Sequence, residues 1–117
     1  MVQHFEVLWS ELAIIDAVQI VGFVAADSPL NARKLFLRLS RKVSSLRVSP
    51  SRGWIVPELA GIGIESYREV LLGPYRVIYR VDERTVYVNC ILDGRRHLHE
   101  LLLERLVRPP SAENQGQ

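Results

Sequence analysis

Three short apolar segments in the second half of the chain constrain its fold most strongly. They run from Glu65 to Leu72, from Tyr75 to Asp82 and from Thr85 to Leu92, and they are rich in β-branched and aromatic residues. Only Gly73-Pro74 and Glu83-Arg84 separate them, and connections of two residues are typical of antiparallel hairpins. The pattern therefore predicts three consecutive antiparallel strands.

The middle segment alternates between two sets of side chains, which a strand directs to opposite faces of its sheet. The set expected to pack against helices consists of Tyr75, Val77, Tyr79 and Val81. The set expected to face away, towards solvent or a partner, consists of Arg76, Ile78 and Arg80. One sheet could therefore carry a cationic surface.

Two helices are predicted before these strands. Ser10 is a natural cap for a helix that runs to about Ala26, and Ser28 with Pro29 begins a second helix that runs to about Leu46. The tight turn between them predicts an antiparallel hairpin. The core stripe predicted for the first helix is Ile14, Ala17, Val18, Val21, Val24 and Ala25. The stripe predicted for the second is Ala32, Leu35, Phe36, Leu39, Val43 and Leu46.

The remaining segments complete one α+β domain. A first strand is predicted at residues 4–9, a long loop at 47–64 and a short last helix at 97–108, before a polar tail at 109–117 that should be flexible alone. Residues 1–108 should thus form a single domain. Its expected architecture is an N-terminal strand, an antiparallel helical hairpin packed on a mainly antiparallel sheet of three to four strands, and a short C-terminal helix.

Features of the hairpin and the loop predict contact with a partner. The first helix has apolar residues outside its stripe, namely Leu12, Ile15 and Phe23. The second has a basic face without intervening acids, formed by Arg33, Lys34, Arg38, Arg41 and Lys42. The extra apolar residues of the first helix are either buried on a second side within the domain or covered by a partner. The basic face of the second helix is either solvated or bound by an acidic partner or nucleic acid. Trp54 should anchor the loop to the core or, if exposed, contact a partner.

Charge, cysteine and histidine content exclude several classes of protein. The formal charge is +2 with a pI near 9.0, and thirteen of the fifteen basic residues are arginine. The single Cys90 allows no intrachain disulfide, which fits a cytoplasmic setting, and neither a signal peptide nor a spanning segment is predicted. His97 and His99 would not face each other on a helix. We therefore expect no metal, cofactor or membrane association.

Several phrases resemble the toxins of bacterial type II toxin–antitoxin systems. They are Gly73-Pro-Tyr-Arg-Val-Ile-Tyr-Arg-Val-Asp82 and Leu92-Asp-Gly-Arg-Arg96, preceded in the expected order by Trp9-Ser10, Asp27 to Ala32 and Val56 to Leu59. Over roughly residues 4–107 the chain resembles the RelE/ParE superfamily, and the ParE branch of plasmid-stabilisation toxins is the most similar. The resemblance implies a cytoplasmic toxin that inhibits DNA gyrase. It also implies a small acidic antitoxin that neutralises the toxin in a hetero-oligomer.

If the chain is such a toxin, the hairpin and loop residues predicted to contact a partner would meet the antitoxin, and the arginines on and after the strands would meet the target. The residues expected to bind the antitoxin are Leu12, Ile15, Phe23, Arg33, Arg38, Arg41 and Trp54. Those expected to bind the target are Arg68, Arg76, Arg80, Arg95 and Arg96. The alternative from the residues alone is an ion-pair network of these arginines with Glu69, Asp82 and Asp93 across the sheet.

An enzymatic alternative stays open. In RelE-like toxins, which cut messenger RNA on the ribosome, the places of Arg68, Arg76 and Arg96 belong to the active site. However, Val70 replaces a lysine of that branch, and Leu102 stands near its tyrosine. Cleavage through the 2′-hydroxyl needs proton transfer, which arginine performs poorly because it stays protonated. The departures favour a gyrase inhibitor that is not an enzyme over the endoribonuclease, and an inactive relative that only binds antitoxin is a third hypothesis.

Overall fold

A computed structural model describes residues 4–95 together with Glu104 and Leu106. The elements in chain order are β1 (Glu6–Trp9), α1 (Glu11–Asp27), α2 (Pro29–Ser44), a 3-10 turn (Ser45–Arg47), β2 (Trp54–Ile55), α3 (Pro57–Ala60), β3 (Tyr67–Leu72), β4 (Tyr75–Asp82) and β5 (Thr85–Asp93). The five strands form one sheet in the order β1-β5-β4-β3-β2, in which only the β1–β5 pair is parallel. The predicted α+β architecture is confirmed, with one strand more than expected. Apart from Glu104 and Leu106, the predicted last helix and the tail lie outside the described residues.

Both helices begin where the sequence places their caps. The Ser10 hydroxyl accepts a hydrogen bond from the Ala13 amide at 3.0 Å, and the Ser28 hydroxyl accepts one from Asn31 at 3.2 Å. Pro29 occupies the first turn of α2, where its missing N–H costs nothing. Capping contacts between neighbouring residues therefore define the N-terminus of each helix in the hairpin.

The buried face of α1 differs from the predicted stripe. Ile14 and Val18 are 50% and 65% exposed, whereas Ala13 and Asp16 are buried. Because α1 is apolar around most of its circumference, spacing alone did not determine which side faces the sheet. The carboxylate of Asp16 accepts a hydrogen bond from the Ile91 amide at 3.0 Å, which orients the helix. On α2 the predicted stripe is buried or half-buried except for Phe36, which is 54% exposed.

The first turns of α1 replace β1 as the neighbour of β5. Pairing between these strands ends at Trp9 and Val88, but β5 continues to Asp93. Beyond this point Ser10 donates its N–H to the Val88 carbonyl at 2.9 Å and its hydroxyl to the Asn89 carbonyl at 2.8 Å. Together with the Asp16 contact, these bonds satisfy backbone groups that would otherwise be left unpaired at a buried edge.

The sheet has a core on each face. The larger one lies against α1 and α2 and consists of Ala13, Leu39, Val43, Leu46, Val70, Leu72, Val77, Tyr79, Val86, Val88 and Ile91. The smaller one lies on the opposite face and consists of Val56, Leu59, Ile78, Cys90 and Leu92, with Ile64, Tyr67 and Leu106 packed against it. We call these the helix-side core and the far-side core.

The far-side core corrects an expectation. Val77 and Tyr79 face the helices as predicted, although Val81 at the end of the strand is 38% exposed. Ile78 and Arg76 do not face solvent: Ile78 is fully buried, and the Arg76 side chain is only 13% exposed. The physical reason is that part of the predicted loop forms β2 and α3, and Val56 between them and Leu59 of α3 cover this face.

Candidate binding surfaces

Arg76 lies between two carboxylates on the far side of the sheet. Its Nη1 and Nη2 donate to the two oxygens of Glu58 at 2.7 and 2.8 Å, and its Nε donates to Oε1 of Glu69. Burial alone would lower the pKa of Arg76, but the hydrogen bonds and charges of Glu69 and Glu58 raise it above its ordinary value. The bidentate contact with Glu58 fastens α3 to the sheet. Arg76 is therefore bound within the domain.

Glu69 extends this arrangement to an exposed aromatic ring. Its second oxygen, Oε2, accepts a hydrogen bond from the Trp54 indole Nε1 at 2.6 Å, and the two residues are paired in the β2–β3 ladder. Glu69 is 3% exposed, whereas Trp54 is 56% exposed. A chain of hydrogen bonds from Glu58 through Arg76 and Glu69 thus orients an indole ring at the surface.

Arg68 lies on the other face of the sheet. It is opposite Tyr79 in the β3–β4 ladder, whereas Arg76 is opposite Leu71. Since directly opposed residues share a face, Arg68 projects on the helix side and Arg76 on the far side. The Nη1 of Arg68 donates to the Gly53 carbonyl at 2.7 Å. The structure therefore does not unite Arg68 with Arg76.

Tyr79 connects the segment before β2 to the sheet. Its hydroxyl donates to the Pro50 carbonyl at 2.6 Å and accepts from the Gly53 amide at 3.1 Å. Burial raises the pKa of Tyr79, and the Gly53 hydrogen bond and the positive charges of Arg68 and Arg52 oppose that effect only in part. Both guanidinium groups therefore lie close enough to the Tyr79 hydroxyl to favour its ionised form.

The other predicted target-binding arginines have local partners. Arg80 lies 4.4 Å from the centroid of the Tyr87 ring and 3.8 Å from Asp82, and its side chain is 37% exposed. Arg95 is paired with Asp93 at 2.7 Å; this hydrogen bond and the Asp93 charge raise the pKa of Arg95. Glu69, Asp82 and Asp93 thus each pair with an arginine, as three separate groups. Arg96 lies outside the described residues.

A long segment without acids was missed by the sequence reasoning. Between Asp27 and Glu58 there is no acidic residue but seven cations, namely Arg33, Lys34, Arg38, Arg41, Lys42, Arg47 and Arg52. None of the seven forms an ion pair within residues 4–95. A count of acids along the whole segment, instead of along α2 alone, would have found this signal.

The helical hairpin exposes an apolar surface. Its exposed members are Ile14, Ile15, Val18, Phe23, Leu30, Phe36 and Leu37, and Phe23 is 83% exposed. Of the predicted antitoxin-binding residues, Leu12 is half-buried, whereas Ile15, Phe23, Arg33, Arg38, Arg41 and Trp54 are exposed. Residues 4–95 therefore do not bury α1 on two sides.

The outer edge of β1 opens into a groove of about 700 Å³. Its lining residues are Phe5, Glu6, Val7, Trp9, Ser40, Val43, Ser44 and Arg47. The Glu6 and Ser10 amides bond to β5 residues or their neighbours, so the backbone groups of Val7 and Trp9 point away from β5. At one end the Phe5 amide donates to the Arg47 carbonyl at 2.8 Å. An extended peptide could add a strand at such an edge.

The part of the chain that the structure describes lacks two further features. No group of three or more His, Cys, Asp or Glu residues there is arranged to hold a metal ion. No helix of this part is long and apolar enough to cross a membrane.

Comparison with known proteins places the chain in a family. The model of the ParE toxin of type II toxin–antitoxin system, parDE, matches residues 7–98. The chain belongs to the ParE toxin family. No curated protein sequence matches this toxin.

Two solved structures share the fold of this toxin. A chain of the chromosomal ParDE system from P. aeruginosa has a TM-score of 0.61 and 20% identity over 75% of the toxin and 94% of that chain. A chain of the toxin–antitoxin complex RelBE2 from Mycobacterium tuberculosis has a TM-score of 0.55 and 17% identity over 78% of the toxin and 92% of that chain. At these identities the likeness concerns the fold.

Proposed function

We propose that this ParE-family toxin inhibits DNA gyrase in the cytoplasm when free and is neutralised by a cognate small acidic antitoxin. The observation that carries the proposal is the state of Glu69. Both of its carboxylate oxygens accept hydrogen bonds, from Arg76 and from Trp54. For proton transfer near Arg76 and Arg96 the sequence offers four candidates, Tyr67, Glu69, His97 and His99. Glu69, with both oxygens engaged, is poorly placed to transfer a proton to RNA.

The other three candidates are Tyr67, His97 and His99. The part of the chain that the structure describes does not place any of them as a general base for RNA cleavage. Tyr67 packs against the far-side core. His97 and His99 lie outside the described residues. Family membership supports gyrase as the target, and a role in plasmid stabilisation accords with the ParE branch. The ribosome-dependent mRNA endoribonuclease remains the second candidate, and an inactive relative the third.

The proposed antitoxin site combines three surfaces. An extended segment adds to the free edge of β1 at Val7 and Trp9, where the groove supplies apolar contacts. Apolar anchors cover the exposed face of α1 around Ile15 and Phe23, while acidic residues approach the cations of α2, none of which forms an ion pair within residues 4–95. The apolar anchors supply most of the affinity, and the charges set specificity and association rate. That both similar structures come from toxin–antitoxin systems supports such a hetero-oligomer.

The proposed target surface retains the arginines on and after the strands. Their availability differs: Arg95 and Arg80 have side chains 68% and 37% exposed, whereas Arg76 is only 13% exposed and is held by two acids. Arg68 and Arg96 complete the proposed set, with Arg68 on the helix side. We therefore assign direct target contact first to Arg95 and Arg80.

Inducible expression in a bacterial host tests the proposal. Growth should stop with a DNA-damage response, and co-expression of the protein encoded beside this gene should restore growth. A Phe23→Asp variant should remain toxic but escape rescue, whereas a Glu83→Ala variant on the distal hairpin should be rescued normally. Site-specific cleavage of a defined message in the ribosomal A site would instead establish the endoribonuclease, particularly if an Arg76→Ala variant that remained folded lost it.

A further inference from the structure

Three features coincide at the β2 edge of the sheet. Trp54 presents an indole ring that is 56% exposed. Trp54 is paired with Glu69 and projects on the far side, whereas Arg68, paired with Tyr79, and Arg52 lie on the helix side of the same edge. Neither arginine has a carboxylate partner within residues 4–95. Arg68 contacts the carbonyl of Gly53, the residue before Trp54, and Arg52 donates to the Ser45 hydroxyl at 2.7 Å. We propose that this edge, Trp54 with Arg52 and Arg68, binds single-stranded nucleic acid that crosses the edge, one base stacking on the indole on the far side and adjacent phosphates meeting the guanidinium groups on the helix side.

The distribution of charge favours a polyanion. Residues 28–57 contain seven cations and no acid, although the whole chain has a formal charge of only +2. This acid-free segment includes Arg52 and Trp54 of the proposed site. Arg52 contacts Ser45, the first residue of the 3-10 turn that follows α2, so the site lies close to the end of that helix. The nearby acids Glu58 and Glu69 both contact Arg76. A strand that neutralises such cations releases its condensed counterions, which drives binding at low salt.

The exposed ring favours nucleic acid over an acidic protein. The most exposed apolar side chains of the hairpin, Phe23 and Val18, are 83% and 65% exposed and suit a protein partner. At β2 the exposed apolar group is an aromatic ring, and the arginine forks on the other face of the same edge fit phosphate oxygens in a planar, bidentate manner. Bases stack on such rings without sequence preference, but only when they are not already stacked in a duplex. The fitting ligand is therefore a single strand.

The indole is oriented before any ligand arrives. Glu69 accepts the indole N–H at 2.6 Å, and Arg76 holds Glu69. A side chain fixed in advance loses less conformational freedom on binding. Arg76 and Glu69 are thus positioning residues for this site, and they act through Trp54.

Anisotropy of a labelled oligothymidylate of about 15 nucleotides, titrated with the full chain at several salt concentrations, tests the proposal. We expect binding that quenches tryptophan fluorescence. Trp54→Ala should weaken it roughly five- to hundred-fold and Trp54→Phe only slightly, since stacking contributes about that much per base. Arg52→Ala should lower the salt slope by about one, whereas Arg84→Ala, which removes an exposed charge elsewhere, should not.

Competitors distinguish the classes of ligand, and thermal melting confirms that each variant is folded. The proposal holds if unlabelled single strands compete well while a duplex of matched length and polyglutamate compete poorly. Equal competition by polyglutamate would overturn it in favour of an acidic protein partner. Equal competition by the duplex, or unchanged affinity of a folded Trp54→Ala variant, would overturn the stacking site. Because none of these results involves gyrase or antitoxin, failure here leaves the proposed toxin function standing.

Discussion

The two faces of the sheet are covered in different ways. On the helix side, two long helices pack aliphatic side chains such as Leu39, Val43 and Leu46 against the strands. On the far side, β2, α3 and the segment around them cover a smaller apolar cluster, and Glu58 and Glu69 hold Arg76 beside it. The packing of the helix side is stabilised mainly by buried apolar area. The packing of the far side also depends on hydrogen bonds between charged groups, each of which needs its partner.

This difference concerns function as well as stability. The far-side network ends at Trp54, so the same contacts that attach α3 also present the exposed ring. On the helix side, the outer surface of α1 and α2 carries exposed apolar residues together with the cations of α2, and it takes no part in the core. Loss of a far-side contact should therefore alter a binding surface, while loss of a helix-side contact should mainly lower the free energy of unfolding.

The largest effect is expected in the helix-side core. Leu46 is fully buried, so Leu46→Ala should lower the free energy of unfolding by about 3–5 kcal/mol through lost burial and a residual cavity. Leu59 of α3 is also buried, but its short segment can relax, so Leu59→Ala should cost about 2–3 kcal/mol. Urea denaturation of both variants measures the difference. Equal losses would contradict the contrast between the two cores.

Removal of Arg76 is expected to act on the far side alone. Arg76→Ala leaves the buried Glu69 without its cation, which should cost about 3 kcal/mol, the low end for a broken buried pair because Glu58 is partly exposed. Replacing Arg76 and Glu69 together by Met and Leu should recover most of this loss. Thermal melting of the single and double variants measures it. A single variant that melts like the parent would show that the network contributes little.

Tyr79 should make the stability sensitive to alkaline pH. Its folded-state pKa is raised, chiefly by burial, so its stabilising contribution is present below the ordinary tyrosine value and is lost as pH rises through the raised one. Denaturation between about pH 8 and about pH 11 should show this decline, which spans the ordinary value of about 10. Tyr79→Phe should cost about 1–2 kcal/mol at neutral pH and reduce the decline. An unchanged pH profile in this variant would contradict the assignment.

The smallest change in stability is expected for Arg80. It is partly exposed and its contact with Asp82 is 3.8 Å long, so Arg80→Ala should change the free energy of unfolding by about 0.5 kcal/mol or less. Growth inhibition should nevertheless fall, because this arginine is among those assigned to the target. Full toxicity of the folded variant would remove Arg80 from the target surface.

The sequence predicted the helix side better than the far side. Ser10 and Ser28 gave the helix starts, and the spacing of Leu39 and Val43 gave the buried face of α2. No comparable pattern exists for α1, whose apolar residues surround the helix. Its orientation depends on contacts between distant residues, such as that of Asp16 with the Ile91 amide.

The far-side contacts were harder to predict from the sequence because the residues that make them lie far apart along the chain. Glu58 lies in a segment rich in Pro and Gly that the sequence predicted as loop, and nothing local indicates that its carboxylate meets Arg76. Glu69 was recognised as a candidate acid, but alternation along β3 alone did not show that Arg68 and Arg76 project to opposite faces. That result needs the register of β3 against β4.

The central proposal, that this ParE-family toxin acts on gyrase, is tested most directly by a supercoiling assay. Purified toxin is added to gyrase, ATP and relaxed plasmid, with the folded Arg80→Ala variant as control, and cleaved DNA is scored after protease treatment. The account predicts that the toxin blocks supercoiling and accumulates cleaved plasmid, and that the variant does so less. Unchanged supercoiling with no cleaved plasmid, together with codon-specific cleavage of a ribosome-bound message by the same preparation, would contradict it.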